Sequence, residues 1–313
     1  LFPQQPGTEL SQFERWMGRY RANQNLDLSR DSGYVIEGGG ELLVWSASDY
    51  ENFTSGRPEL KEEAEAELEA VVRLHVKNGW PFRIHATYDE SISRMLTVLE
   101  KIDADTPLST VRWAFDHAET ISDSNLARVK ALGGGCAIQG RMAFAGEYFV
   151  ERYGDAQARP SPPIRKMLDM GIPVAHGTDG TRVASFNPRD AYYWAVTGKT
   201  LGGLQVYGEE KILSLLEALR LFTLGSAWMS GEEERKGALR PGMLADLAVL
   251  DRDVLAVDAS ELRGTTSLLT IVGGEVVFSS GTLTTPTPVP APALPAWSPV
   301  NLPSSAPVGP APD

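Results

Sequence analysis

The sequence predicts an α/β protein of the parallel (β/α)8, TIM-barrel-like type, and three observations predict it. Short apolar runs alternate with amphipathic helical stretches from residue 58 onward. Metal-ligand residue types close three of those runs: His85 in Phe82-Arg83-Ile84-His85-Ala86-Thr87, His117 in Ala114-Phe115-Asp116-His117-Ala118-Glu119, and Asp179 in Val174-Ala175-His176-Gly177-Thr178-Asp179. Their spacing also fits. His117 follows His85 by 32 residues (117 − 85) and Asp179 follows His117 by 62 (179 − 117). These are about one and two strand-helix units of an eightfold barrel of roughly 250 residues. A parallel barrel gathers the C-terminal ends of its strands around one mouth, so distant residues converge there.

The elements follow in order. Gln12 to Arg21 places Phe13, Trp16, Met17 and Tyr20 on one helical face. Two short apolar runs, around Tyr34 to Ile36 and Leu42 to Trp45, flank Gly38-Gly39-Gly40, which reads as a turn or a close backbone approach. Pro58 to Asn78 is a helix with an acidic first turn (Glu59, Glu62, Glu63) and Gly79 after its end. Pro81 to His85 is a strand and Glu90 to Ile102 an amphipathic helix. Val111 to His117 is the next strand; Ser122 then caps the helix Asp123 to Leu132, which Gly133-Gly134-Gly135 ends. The spacing requires one strand before Asp179, and Gly135-Cys136-Ala137-Ile138-Gln139 supplies it. Ser161-Pro162-Pro163 opens a helix through Met170, Gly171 stops it, and Pro173 to Ala175 is a strand. Helices over Asn187–Thr197 and Ser214–Met229 precede strands over Gly237–Leu250 and Ser267–Phe278, with turns at Pro241-Gly242 and Gly273-Gly274. Past Gly281 the chain is rich in Pro, Ala, Thr and Ser and reads as an extended, disordered tail that Trp297 could pin.

Composition narrows the function classes. The 313 residues and 42% hydrophobic content allow one large domain or two smaller ones. A net charge of −12 gives a surface that repels phosphate backbones, so nucleic acid is not an expected partner. The single cysteine, Cys136, excludes an internal disulfide and any multi-cysteine zinc module, and its apolar surroundings read as core packing. No apolar run reaches the length of a membrane span. No signal peptide is visible, which favours the cytoplasm, although the chain opens on Leu1 and its true N-terminus is not in view.

Imidazole and carboxylate are ligands for zinc and suit other divalent metals. A bound divalent ion lowers the pKa of water to about 7. A carboxylate beside that water can take its proton and pass it to a leaving nitrogen. On this reading His85, His117 and Asp179 bind the metal. Asp179 also acts as base and then acid, and His117 binds metal or polarises the scissile carbonyl. Each residue has a plainer alternative, since a His near a strand end often only packs. His75, at helical spacing from Val71 and Val72, reads as a packed helix residue. His176 reads as a strand residue or one supporting a ligand. Asp89-Glu90 caps the next helix or shapes the pocket. Glu119 orients a ligand or substrate, or faces solvent. Arg141 and Arg182 bind a substrate carboxylate or form salt bridges in the rim. Met142 to Ser161, with Phe144, Tyr148, Phe149 and Tyr153, forms a pocket wall, a lid or a connector.

Over roughly residues 33–281 these segments resemble the amidohydrolase superfamily, in the branch of D-aminoacylases and formamide deformylases. The pieces are Ile84-His85-Ala86 with Asp89, Asp116-His117-Ala118-Glu119, Gly177-Thr178-Asp179, Glu217-Ala218-Leu219-Arg220, Gly225-Ser226-Ala227, Lys236-Gly237-Ala238-Leu239, and Pro241-Gly242-Met243-Leu244-Ala245-Asp246-Leu247-Ala248-Val249-Leu250. The resemblance implies a distorted TIM barrel, a composite β-sandwich built from both chain ends, and hydrolysis of a non-peptide C–N bond such as an N-acyl amide with one or two zinc ions. By position His85 matches the fifth-strand ligand, His117 the sixth-strand ligand and Asp179 the eighth-strand acid/base. The family's first-strand His-x-His pair has no counterpart here, since no His precedes His75, and the first lysine, Lys61, lies in an expected helix rather than at the fourth-strand bridging position. Glu37 and Glu41 are carboxylate substitutes at best and read as exposed turn residues.

The expected organisation is a lead-in over 1–32, a partial barrel over 33–230 lacking its first strands, part of the β-sandwich over 231–281, and the tail over 282–313. The chain then resembles the C-terminal portion of a longer metal-dependent amidohydrolase acting on a small-molecule amide, with an exposed half-sandwich that favours a homo-oligomer. Two rivals stand beside it: a non-catalytic remnant or binding module lacking the full metal site, and a cyclic amidase or deaminase.

Overall fold

The structure, a computed structural model, describes residues 1–22, 35–50, 53, 57–180 and 183–283. Arg182, Tyr34, Trp297 and the Pro-rich tail beyond residue 283 lie outside the described residues. Among the described residues two compact units emerge, one within Leu1–Leu244 with Arg252–Thr265, the other of Ala245–Asp251 with residues 266–283.

The first unit is built on four parallel strands: β1 (Phe82–Ala86), β2 (Trp113–His117), β3 (Gly135–Gln139) and β4 (Val174–Gly177). Their order in the sheet is their order in the chain. That one-directional winding is what a barrel requires, whereas a doubly wound sheet reverses at a switch point. The helices are α1 (Glu9–Met17), α2 (Ala64–Lys77), α3 (Asp89–Asp103), α4 (Asp123–Ala131), α5 (Met142–Tyr153), α6 (Asp155–Ala158), α7 (Ile164–Asp169), α8 (Pro188–Thr197), α9 (Leu215–Arg220) and α10 (Ser226–Met229). Parallel neighbours need crossovers, and α3, α4 and the group α5–α7 supply them.

Strand alternation divides β1 into two faces. Phe82, Ile84 and Ala86 are buried against α2 and α3, whose Leu68, Val71, Val72, Ile92, Leu96 and Leu99 recur at three- and four-residue spacing. Phe82 stacks on Trp113 of β2 at 6.2 Å. Arg83 and His85 take the other face.

The element bounds refine the expectations. The expected helix over 58–78 starts only at Ala64, because the Arg94 guanidinium takes the carbonyls of Leu60 (3.0 Å) and Lys61 (3.3 Å). Ser122 caps α4 through the Asn125 amide, and Asn187 caps α8 through the Arg189 amide. The 142–161 stretch, read as wall, lid or connector, is helical over α5 and α6. The expected helix over 214–229 contains a π turn, Leu221–Gly225, between α9 and α10. Glu217 is structural: it closes a capping box with Ser214 and pairs with both terminal nitrogens of Arg165 (2.8 and 2.9 Å).

His75 is wholly buried on α2, where its Nδ1–H donates to the Val71 carbonyl (2.9 Å) and its ring meets Phe13 edge-on at 4.4 Å. Burial pushes its pKa down, against the pull of the Val71 bond, to about 4. A histidine with a depressed folded-state pKa stabilises the fold fully above its unfolded pKa of about 6.5, and that stability is lost as pH falls towards the folded value. Unfolding free energy is therefore expected to drop by ~3 kcal/mol from this residue between pH 7 and pH 4. Urea unfolding of His75→Gln across that range checks it, since the variant must lack this part of the acid slope.

The second unit is a three-stranded antiparallel sheet, β5 (Leu247–Leu250), β6 (Ser267–Val272) and β7 (Glu275–Ser279), in that order. Gly273 and Gly274 (φ +59° and +87°) form the two-residue turn between β6 and β7, where both positions need positive φ. The expected strand over 237–250 begins only at Leu247. Gly237 and Gly242 hold positive φ, and Pro241 lacks a ladder donor.

Candidate functional site

The site starts at the glycine run. Residues 39–41 lie alongside β1 in parallel: Gly39 N–H donates to Pro81 O (2.9 Å), Arg83 N–H to Gly39 O (3.2 Å) and His85 N–H to Glu41 O (2.9 Å). A Cβ on Gly38 would sit 2.1 Å from the Pro81 carbonyl oxygen, and one on Gly39 2.6 Å from His75 Nε2, so only glycine permits this approach. The ladder delivers Glu41 beside His85. Glu41, expected at an exposed turn, is instead half-buried against two imidazoles; Glu37 is exposed as expected.

His85 reaches the same place by strand alternation. His117 does not. By alternation it would share the core-facing side of Phe115, but its φ is +78° and that of Ala118 is +51°. This left-handed kink turns the ring back towards the sheet's other face, where it meets the His85 ring at 4.4 Å. Such backbone strain is costly for a residue with a Cβ and concentrates at functional sites. Asp179, just past β4, also holds a positive φ of 49°.

The Glu41 Oε2 atom lies 2.9 Å from His117 Nε2 and 3.3 Å from His85 Nδ1. One ligand atom from each of the three residues lies within 4.8 Å of the others, a grouping that could hold a metal ion. Two imidazole nitrogens and a carboxylate oxygen are a donor set suited to a divalent ion. Burial alone would lower the His117 pKa, but the Glu41 contact, Glu119 and Asp116 outweigh it and push it up to about 9. Burial would likewise raise the Glu41 carboxyl, yet the bonds from His117 and His85 hold it well below the usual carboxylate range.

Glu41, His117 and Asp179 line one cavity of about 340 Å³, together with Arg83, Asp116, Gln139 and Ser226. Arg83 Nε donates to both carboxylate oxygens of the buried Asp116 (2.8 and 3.0 Å). The structure thus brings His85 and His117 together, and the carboxylate that joins them is Glu41. Asp179 shares the cavity without belonging to the three-residue cluster. Burial raises its pKa; Glu41 adds to the rise, and His117, His85 and Arg141 oppose it.

The remaining candidates stand outside the three-residue cluster. Glu119 does not face solvent: it is buried and accepts from Gln139 Nε2 (2.8 Å), which holds that amide at the cavity wall. Arg141 is buried with its guanidinium 4.0 Å from the Phe53 ring, and it is not among the residues lining the cavity. His176 also lines the cavity; it pairs in register with Ile138 and stacks on Phe222 at 4.5 Å, and burial lowers its pKa to about 4. Asp89 accepts from the Ser122 amide (2.7 Å) and from Asn125 Nδ2 (2.7 Å), tying α3 to the start of α4. Cys136 is buried in the core. Asp49, which no sequence signal marked, is fully buried beside His85. No helix of the described residues is long and apolar enough to cross a membrane.

Comparison with known proteins bears on this site. The family model described as "Amidohydrolase family" matches residues 4–278. An N-substituted formamide deformylase from Arthrobacter pascens is 30% identical over 200 residues, covering 63% of this chain and 36% of that protein. The chain therefore spans little more than a third of that relative's length. An uncharacterized metal-dependent hydrolase from Pyrococcus horikoshii OT3 shares the fold at a TM-score of 0.56 and 24% identity, covering 71% of this chain and 43% of that one. The atrazine chlorohydrolase TrzN from Arthrobacter aurescens TC1, solved with zinc, does so at 0.54 and 20%, covering 86% and 55%.

Proposed function

The chain belongs to the amidohydrolase family, and from that premise we propose that it carries the metal-binding and proton-transferring residues of a hydrolase for a non-peptide C–N bond. The observation that carries the reading is the convergence of Glu41, His85 and His117 beside Asp179. Three protein donors are the usual set for a catalytic zinc, which keeps a further position open. Bound there, a divalent ion supplies Lewis acidity towards a water and a carbonyl oxygen. Glu41, His85 and His117 would hold it. Asp179 takes a proton from the attacking water and returns it to the leaving nitrogen. A carboxyl raised in pKa by burial and by Glu41 suits that double role better than an ordinary one. Its place at the cavity but outside the cluster supports acid–base work over direct ligation.

The substrate class follows from the resemblance to the formamide deformylase: an N-acyl, amide-type small molecule whose carbonyl sits near His117. The same reading takes β1 to β4 as the fifth to eighth strands of a (β/α)8 barrel. It takes the second unit as part of a β-sandwich, and this chain as the C-terminal portion of a longer enzyme. A panel of N-substituted formamides, N-acyl amino acids, hydantoins and aminopurines, assayed with added zinc, tests it. Amine release from the acyl compounds is expected. Turnover of hydantoins or aminopurines alone would move the assignment to a cyclic amidase or a deaminase. Zinc binding with no turnover of any compound would favour a binding module.

A further inference from the structure

We propose that Asp49 is a positioning residue for the metal centre: it sets the tautomer and orientation of His85 so that Nδ1, not Nε2, is the ligand atom. The inference rests on the metal reading above. Asp49 is wholly buried, 36 positions before His85 (85 − 49). Its Oδ1 accepts from the Thr87 amide (2.8 Å), and its Oδ2 from the Tyr88 amide (2.9 Å) and again from Thr87 (3.1 Å). These are the first two amides past the end of β1, so Asp49 is locked to the strand end that carries His85.

The same Oδ1 lies 3.6 Å from His85 Nε2. That nitrogen is buried and has no hydrogen-bond partner, while Nδ1 faces Glu41. A neutral imidazole carries a single N–H, on one nitrogen or the other. Without an ion Glu41 competes for the ring proton, since its Oε2 lies 3.3 Å from Nδ1. A divalent ion at that position takes the Nδ1 lone pair, and a carboxylate facing Nε2 then holds the proton there. The ring is held between neighbours, since Tyr50 lies 4.7 Å from it on one contact and His117 4.4 Å on another. The contact is longer than a hydrogen bond, so the coupling is electrostatic. Two backbone donors satisfy the carboxylate and offset the cost of burying it.

Nitrogen-15 NMR of the histidine side chains in the full 313-residue chain tests this, with His85→Gln assigning the resonances. With one equivalent of zinc bound, His85 is expected to carry its proton on Nε2 and to bind through Nδ1. In Asp49→Asn one oxygen still accepts from the Tyr88 and Thr87 amides, but an amide donor replaces Oδ1 opposite Nε2. Zinc affinity by calorimetry is then expected to fall about 10–100-fold with the fold retained. Zinc bound through Nε2, with the proton on Nδ1, would overturn the proposal, also should Asp49→Asn fail to fold. So would a folded Asp49→Asn chain binding zinc within about threefold of wild type. A wild-type chain that binds no zinc would overturn the metal reading and the role of Asp49 with it.

Discussion

Replacing Asp179 by asparagine in the intact enzyme is expected to lower kcat about 10²–10⁴-fold, the range for loss of a positioned acid–base group. Asparagine keeps the size and the hydrogen-bonding capacity of the side chain but cannot carry a proton between water and a leaving nitrogen. Asp179 lies outside the three-residue cluster, so metal content and thermal midpoint are expected to stay at wild-type values. Its positive φ also favours this variant, because asparagine tolerates the left-handed region better than most residues. Turnover with the proposed acyl substrate, metal analysis and circular dichroism together check the result. Retained kcat would remove Asp179 from the chemistry. Lost kcat with lost metal would make it a ligand instead.

The second large effect is on the metal. Glu41→Ala is expected to weaken zinc binding by more than about 100-fold, since loss of a mere supporting partner already costs 10–100-fold. Glu41 Oε2 is the atom that both imidazoles face, at 2.9 and 3.3 Å, and without it two buried rings meet at 4.4 Å with nothing to bridge them. Glu37→Ala, at an exposed position on the same cavity but outside the cluster, is the control and is expected to change little. Calorimetric titration with zinc reads both. Equal affinities in wild type and Glu41→Ala would mean that the ion, if bound, sits elsewhere.

How much of this was legible in the sequence depends on what each residue relies on. His85 and His117 were legible because they end apolar runs of β periodicity, and the 32-residue step between them is the length of a strand-helix unit. The strand around Cys136 followed from that spacing alone. Glu41 was misjudged because three glycines precede it and carry no strand signature; its placement comes from main-chain bonds to β1, which any sequence could make in principle. The orientation of His117 was hidden for a similar reason. Alternation assigns it to the core face, and only the positive φ at two non-glycine residues reverses that. Asp49 left no trace because its partners are backbone amides beyond β1 and an imidazole 36 positions away (85 − 49). Arg141 reads in sequence as a rim residue and Glu119 as orienting a ligand or facing solvent; the Phe53 ring and the bond from Gln139 hold both inside. The late start of α2 depends on Arg94, a residue in a different helix, which no local pattern near Pro58 could announce.

The central claim is that Glu41, His85 and His117 form a divalent-metal site, and zinc-edge X-ray absorption on the chain loaded with one equivalent of zinc tests it most directly. The expected spectrum has a shell of nitrogen and oxygen only, at about 2.0–2.2 Å, with the multiple-scattering signature of two imidazoles, which His117→Ala loses. A spectrum without imidazole scattering, or one that His117→Ala leaves unchanged, would contradict it.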